Sequence, residues 1–164
     1  MPTPLIRGNT VRDGPDFGIL IERDATPTIE ANHIRGNALD GVSIGTRATP
    51  TIEANEIHGN SRDGVSIWSQ GTAPLIRGDT VRDGKRNGIL ISKRATPTIE
   101  ANEIYGNAGF GIWVQDPRSA PVIRRNTFRD GETDSIIVKD GATPTVEATS
   151  TSRGMDRNAP QSTL

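Results

Sequence analysis

Six residues able to handle charge recur at a fixed interval: Arg12, Arg35, His58, Arg82, Tyr105 and Arg129 lie 23 or 24 residues apart. Guanidinium forks bind carboxylates and phosphates through paired hydrogen bonds, and His and Tyr can exchange protons. Brought into one column, they could hold an anionic polymer or a phosphate-bearing partner. The plainer reading is a solvated stripe, because Asp13, Asp83 and Asp130 directly follow three of the Arg residues. Trp68 and Trp113 offer aromatic faces that can stack on sugars or anchor a protein partner, or simply cover nearby apolar surface. Asp40 and Asp63 share a position in adjacent repeats, with Asp134 further along. Stacked carboxylates can bind Ca²⁺ or work as a pair on a glycosidic bond. Asp40 and Asp63 each precede a Gly, so turn chemistry also accounts for them. The two histidines, His33 and His58, fall in different columns. No residue is assigned as catalytic or as a metal ligand, and no cofactor is called for.

The elements that must position these residues are set by a repeat. Thr26-Pro27-Thr28-Ile29-Glu30-Ala31-Asn32 returns unchanged at Thr49 to Asn55 and at Thr96 to Asn102, with looser copies from Thr3, Ala73, Ala120 and Thr143. A fixed period of this length marks a solenoid. Four aliphatic columns run through it; in the second turn they are Ile29, Ile34, Val42 and Ile44. The last two lie two residues apart, which is strand alternation, and β-branched residues dominate, as strands prefer. Each turn therefore reads as three short strands. Pro opens each repeat, Asn closes the first strand at Asn9, Asn32, Asn55, Asn102 and Asn126 (Asp79 in the fourth turn), and Gly precedes the third aliphatic column. Asn suits a left-handed bend and Gly a tight corner. The column after the first Ile, Arg7, Glu30, Glu53, Arg77, Glu100, Arg124 and Glu147, reads as an exposed ion-pair ladder with one like-charge step at Glu30 and Glu53.

The expected fold is an all-β, right-handed parallel β-helix of six to seven turns. It should occupy residues 1–148, with 149–164 as a polar C-terminal tail or partial cap. The chain of 164 residues is 32% hydrophobic, thin for a globular core but enough for a solenoid that buries one stripe per turn. Nineteen basic and 20 acidic residues give a net charge of −1, which argues against nucleic acid and membrane surfaces as partners. Without cysteine there are no disulfides or thiolate metal sites, and the compartment is left open.

The run Pro-x-Ile-x-x-Asn-x-Ile-x-x-Asn-x-x-x-Gly-Ile-x-Ile is well matched by Pro27 to Ile44 and by Pro50 to Ile67. It resembles the repeats of the pectate-lyase-like superfamily, often called carbohydrate-binding and sugar-hydrolase repeats. The resemblance implies the fold over residues 3 to about 148. Members include lyases, hydrolases, uronate epimerases and non-catalytic binding modules, so the fold does not choose an activity. In uronate-processing members, Arg, His and Tyr neutralise carboxylates and move protons, which directs attention to the Arg12–Arg129 column. The turns here are nearly interchangeable, whereas an enzyme needs one distinct cluster. The expected function is a non-catalytic recognition or scaffold module for protein or polysaccharide, part of a larger protein or a duplicated or designed array. The alternative is a lyase, uronate epimerase or glycoside hydrolase on an anionic polysaccharide. Exposed strand edges at the first turn also suggest end-to-end self-association.

Overall fold

The computed structural model describes residues 3–129 and 135–151. Asp130, Asp134 and all but three residues of the expected tail lie outside that range.

The chain winds through three strands per turn. The first turn carries β1 (Leu5–Arg7), β2 (Thr10–Arg12) and β3 (Ile19–Ile21). The second carries β4 (Thr28–Glu30), β5 (His33–Arg35) and β6 (Val42–Ile44). The third has β7 (Thr51–Glu53), β8 (Glu56–His58) and β9 (Val65–Ile67). The fourth has β10 (Leu75–Arg77), β11 (Thr80–Arg82) and β12 (Ile89–Ile91). The fifth has β13 (Thr98–Glu100), β14 (Glu103–Tyr105) and β15 (Ile112–Val114). The sixth has β16 (Val122–Arg124), β17 (Thr127–Arg129) and β18 (Ile136–Val138). The last begins with β19 (Thr145–Glu147) and β20 (Ser150–Thr151). Like strands of successive turns pair in parallel, giving two sheets of seven strands and one of six. Pairing thus continues to Thr151, past the last aliphatic position of the sequence pattern.

The four aliphatic columns point inward. Ile29, Ile34, Val42 and Ile44 are fully buried, as are Ile52, Ile57, Val65 and Ile67 in the next turn. In the first turn Ile6, Val11 and Ile19 are only half-buried against this core. At ~1.5–3 kcal/mol per buried aliphatic side chain, each inner turn gains roughly 6–12 kcal/mol before ordering entropy is counted.

The corners are built differently from the expectation. The left-handed residue is the one before the Asn: Ala31 (φ 54°), Ala54 (φ 57°), Ala101 (φ 55°) and Arg125 (φ 56°), with Gly8 and Gly78 in the same column. The Asn side chains turn inward and form a buried ladder. The backbone N–H of Asn9, Asn32, Asn55, Asp79 and Asn102 each donates to the side-chain Oδ1 one turn ahead, at 2.7–3.0 Å. In return the Nδ2 of Asn32, Asn55, Asn102 and Asn126 donates to the carbonyl of Ile6, Ile29, Ile76 and Ile99. Main-chain groups that bend away from the sheets are satisfied this way, which offsets the ~1–2 kcal/mol of each left-handed alanine. Asp79 lacks the second donor. Its Oδ2 is buried without a partner, and burial pushes its carboxyl up to about 7. The glycines before the third column are needed for close approach: a Cβ on Gly64 would sit 2.3 Å from Val81 Cγ1 and 2.7 Å from the Gly88 carbonyl.

Candidate functional site

On the second sheet, residues one and three of each strand point outward while the middle aliphatic points in. The register aligns Arg12 with Arg35, Arg35 with His58, His58 with Arg82, Arg82 with Tyr105, and Tyr105 with Arg129. The six residues share one row. A second row on the same face aligns His33 with Glu56, Glu56 with Thr80, and Thr80 with Glu103.

Contacts run diagonally between the two rows. The Arg82 guanidinium donates to Glu56 Oε1 and also to Asp83 Oδ2. Arg129 pairs with Glu103 and lies 5.7 Å from the Tyr105 ring centroid. Arg12 pairs with Asp13 at 3.0 Å. Arg35 alone of the four Arg has no carboxylate partner among the described residues. The row is therefore largely neutralised, and Glu56 and Glu103 supply much of the neutralisation. Reading the columns separately missed both; the signal was available, since positions two apart in a strand share a face.

The same diagonal joins the two histidines. His33 Nε2 and His58 Nε2 are 2.7 Å apart, so one imidazole N–H donates to the other ring. His33 Nε2 also lies 3.6 Å from Glu56 Oε2. Burial, and then the nearby Arg82 charge, hold His58 below the ordinary imidazole range. The Arg82 hydrogen bond holds the Glu56 carboxyl below its ordinary value.

Asp40 and Asp63 are buried and belong to a second polar ladder. Asp40 Oδ1 accepts from the Asp63 N–H at 3.0 Å, and Asp40 Oδ2 from Ser66 Oγ at 2.8 Å. Asp63 Oδ1 accepts both the N–H and the Nδ2 of Asn87. Burial raises the Asp63 carboxyl. These acids hold main chain, which is the turn-like reading carried further inside.

The two Trp residues part company. Trp113 lies in register between Leu90 and Ile137 on the outside of the third sheet and meets Phe110 edge-on at 5.3 Å. It covers apolar surface. Trp68, just past β9, lies against Gly45, where an added Cβ would come within 2.3 Å of Trp68 Cε2, and its Nε1 donates to Ser43 Oγ at 3.2 Å. The Lys93 ammonium stands 5.6 Å from its ring centroid. Trp68, Gln70, Lys93, Arg94, Gln115 and Asp116 line one open hollow.

The family model described as right handed beta helix region matches residues 17–154. The chain belongs to the right-handed β-helix family. No curated protein matches its sequence. This β-helix is similar in structure to the periplasmic alginate epimerase AlgG, with a TM-score of 0.80 and 18% identity; 90% of the chain aligns with 39% of that one. It is also similar to the A-module of the Azotobacter vinelandii mannuronan C-5 epimerase AlgE4, with a TM-score of 0.64 and 17% identity over 91% of this chain and 55% of that one. The β-helix thus spans well under half the length of the first of these. Likeness at such identities is likeness of fold.

Proposed function

We propose that this β-helix is a non-catalytic recognition module that holds an anionic polysaccharide in the hollow beside Trp68. The observation that carries the reading is the composition of that hollow: an indole ring, two cations (Lys93 and Arg94), two side-chain amides and one carboxylate (Asp116, which accepts from the Lys93 N–H) around one open depression. An indole face stacks on the C–H face of a sugar ring, amides bond its hydroxyls, and the cations neutralise carboxylates. The structural relatives named as alginate and mannuronan epimerases point to a uronate polymer as the ligand class. The non-catalytic half is supported by Asp40, whose two oxygens are engaged with the Asp63 N–H and Ser66, and by Asp63, which is buried with its Oδ1 bonded to Asn87.

Affinity electrophoresis in gels containing alginate or pectate tests this. Retardation of the unmodified chain should be lost in Trp68→Ala and weakened in Lys93→Ala, with no change in the polymer itself. Retardation that survives both substitutions defeats the reading. Polymer turnover that disappears in Arg35→Ala or His58→Ala replaces it with an enzyme on the second sheet.

A further inference from the structure

Both histidines of the chain meet at one point on the second sheet, beside a glutamate. Their ligating atoms and a Glu56 oxygen all lie within 4.8 Å of one another. We propose that His33, Glu56 and His58 form a binding site for a transition-metal ion of the zinc class, with its remaining coordination position open to solvent.

The three ligating atoms are close enough for one ion to reach them all. Zinc takes imidazole nitrogen at about 2.0–2.1 Å and carboxylate oxygen at about 2.0–2.2 Å, so tetrahedral ligand atoms lie about 3.3–3.4 Å from one another. The observed His33–His58 separation of 2.7 Å and His33–Glu56 separation of 3.6 Å fall on either side of that value. Small χ rotations of half-buried side chains bring both to it. The strands need not move, because β5 and β8 are locked side by side with His33 opposite Glu56.

The carboxylate is also held for the purpose. Its Oε1 is taken by Arg82, which leaves Oε2 turned toward His33. Arg82 is fixed in turn by Asp83. A ligand oriented by an outer partner in this way is common around bound metals. Two imidazoles and one carboxylate select a borderline metal such as Zn²⁺, Co²⁺ or Cu²⁺ over Ca²⁺ or Mg²⁺, which take oxygen-rich shells. This site is on a different face from the Trp68 hollow, and its test does not involve polysaccharide.

The test is titration of the full chain with Zn²⁺ by calorimetry, and with Co²⁺ and Cu²⁺ by absorption and paramagnetic resonance. One equivalent should bind, Co²⁺ should show the intense visible bands of a four-coordinate ion, and Cu²⁺ should show hyperfine coupling to two imidazole nitrogens. His33→Ala and His58→Ala should each weaken binding by at least about tenfold, and Glu56→Gln by less. Arg12→Ala, one strand from His33 and two from His58 on the same face, should leave it unchanged. Absence of saturable binding overturns the proposal, as does affinity that persists with both histidines replaced or equal competition by Ca²⁺. Unchanged affinity in Glu56→Gln removes the third ligand and overturns the set as stated. Circular dichroism of each variant separates loss of a ligand from loss of the sheet.

Discussion

Polar rows run inside and outside this β-helix, and the two kinds behave in opposite ways. The Asn32–Asn126 row is buried, straight and bonded to main chain one turn away. The rows outside the second sheet are half-exposed, diagonal and bonded side chain to side chain. Both repeat with the same period, so the period does not separate structure from function. Burial does. A polar group with no water must be satisfied by the fold, and removing its partner costs about 1–3 kcal/mol per stranded group. An exposed pair can always exchange its partner for water and is worth ~0–1 kcal/mol. The inner row is therefore constrained at every rung, while the outer one is free to carry His33, Glu56 and His58 in one place and Arg129 over Tyr105 in another.

That contrast is broken most severely at Asn55. Asn55→Ala strands the N–H of Asn32, removes a second donor from the Ile29 carbonyl and takes a donor from Asp79. A loss on the order of 5 kcal/mol is expected from several groups at about 1–3 kcal/mol each, read as a large drop in the denaturation midpoint. A loss below about 1 kcal/mol would show that the inner row tolerates change as the outer one does.

Asp79 sharpens the comparison from inside the inner row. Its ordinary value of 3.8 is raised to about 7 in the fold. Between those values the folded chain keeps a proton that the unfolded chain has released. Stability should therefore fall as pH rises from about 4 to about 7 and change no further through this group above that. The difference corresponds to roughly 4 kcal/mol at about 1.4 kcal/mol per unit. Asp79→Asn supplies the missing Nδ2, which by the register should meet the Ile52 carbonyl. The variant should be stabilised by up to about that amount at pH 8 and should lose this pH dependence. Denaturation curves at pH 5 and pH 8 decide it; equal stability of the two proteins at pH 8 would mean that Oδ2 is solvated.

The smallest effect belongs to the outside of the first sheet. Glu30 and Glu53 stand side by side, each with its own Arg, at 3.6 Å for Arg7 and 2.7 Å for Arg77. Glu30→Gln removes the like-charge step together with the Arg7 pair and should change stability by less than about 1 kcal/mol, shrinking further in high salt. A change of several kcal/mol, or one insensitive to salt, would place this column with the buried ladder.

The period of 23 or 24 residues, the two-residue spacing of inward positions such as Val42 and Ile44, and the β-branched columns determined the β-helix from sequence alone. They could do so because inward burial acts on every rung alike, and a repeated cause leaves a repeated trace. The row Arg12 to Arg129 and the outward placement of Trp113 were legible for the same reason. Tertiary structure alone decided what happens between rows and around corners. The histidines meet because a third-position side chain leans back over the first position of the strand before it, a diagonal that column-by-column reading separates. Asn32 and Asn55 face inward because the residue before each takes the left-handed bend, so a residue type suited to turns became a buried strut. Trp68 and Trp113 have the same side chain in neighbouring settings. Trp68 lies against Gly45 beside Lys93, and Trp113 lies among Leu90, Phe110 and Ile137. Most of those neighbours come from other turns, and only the stacking of turns brings them together.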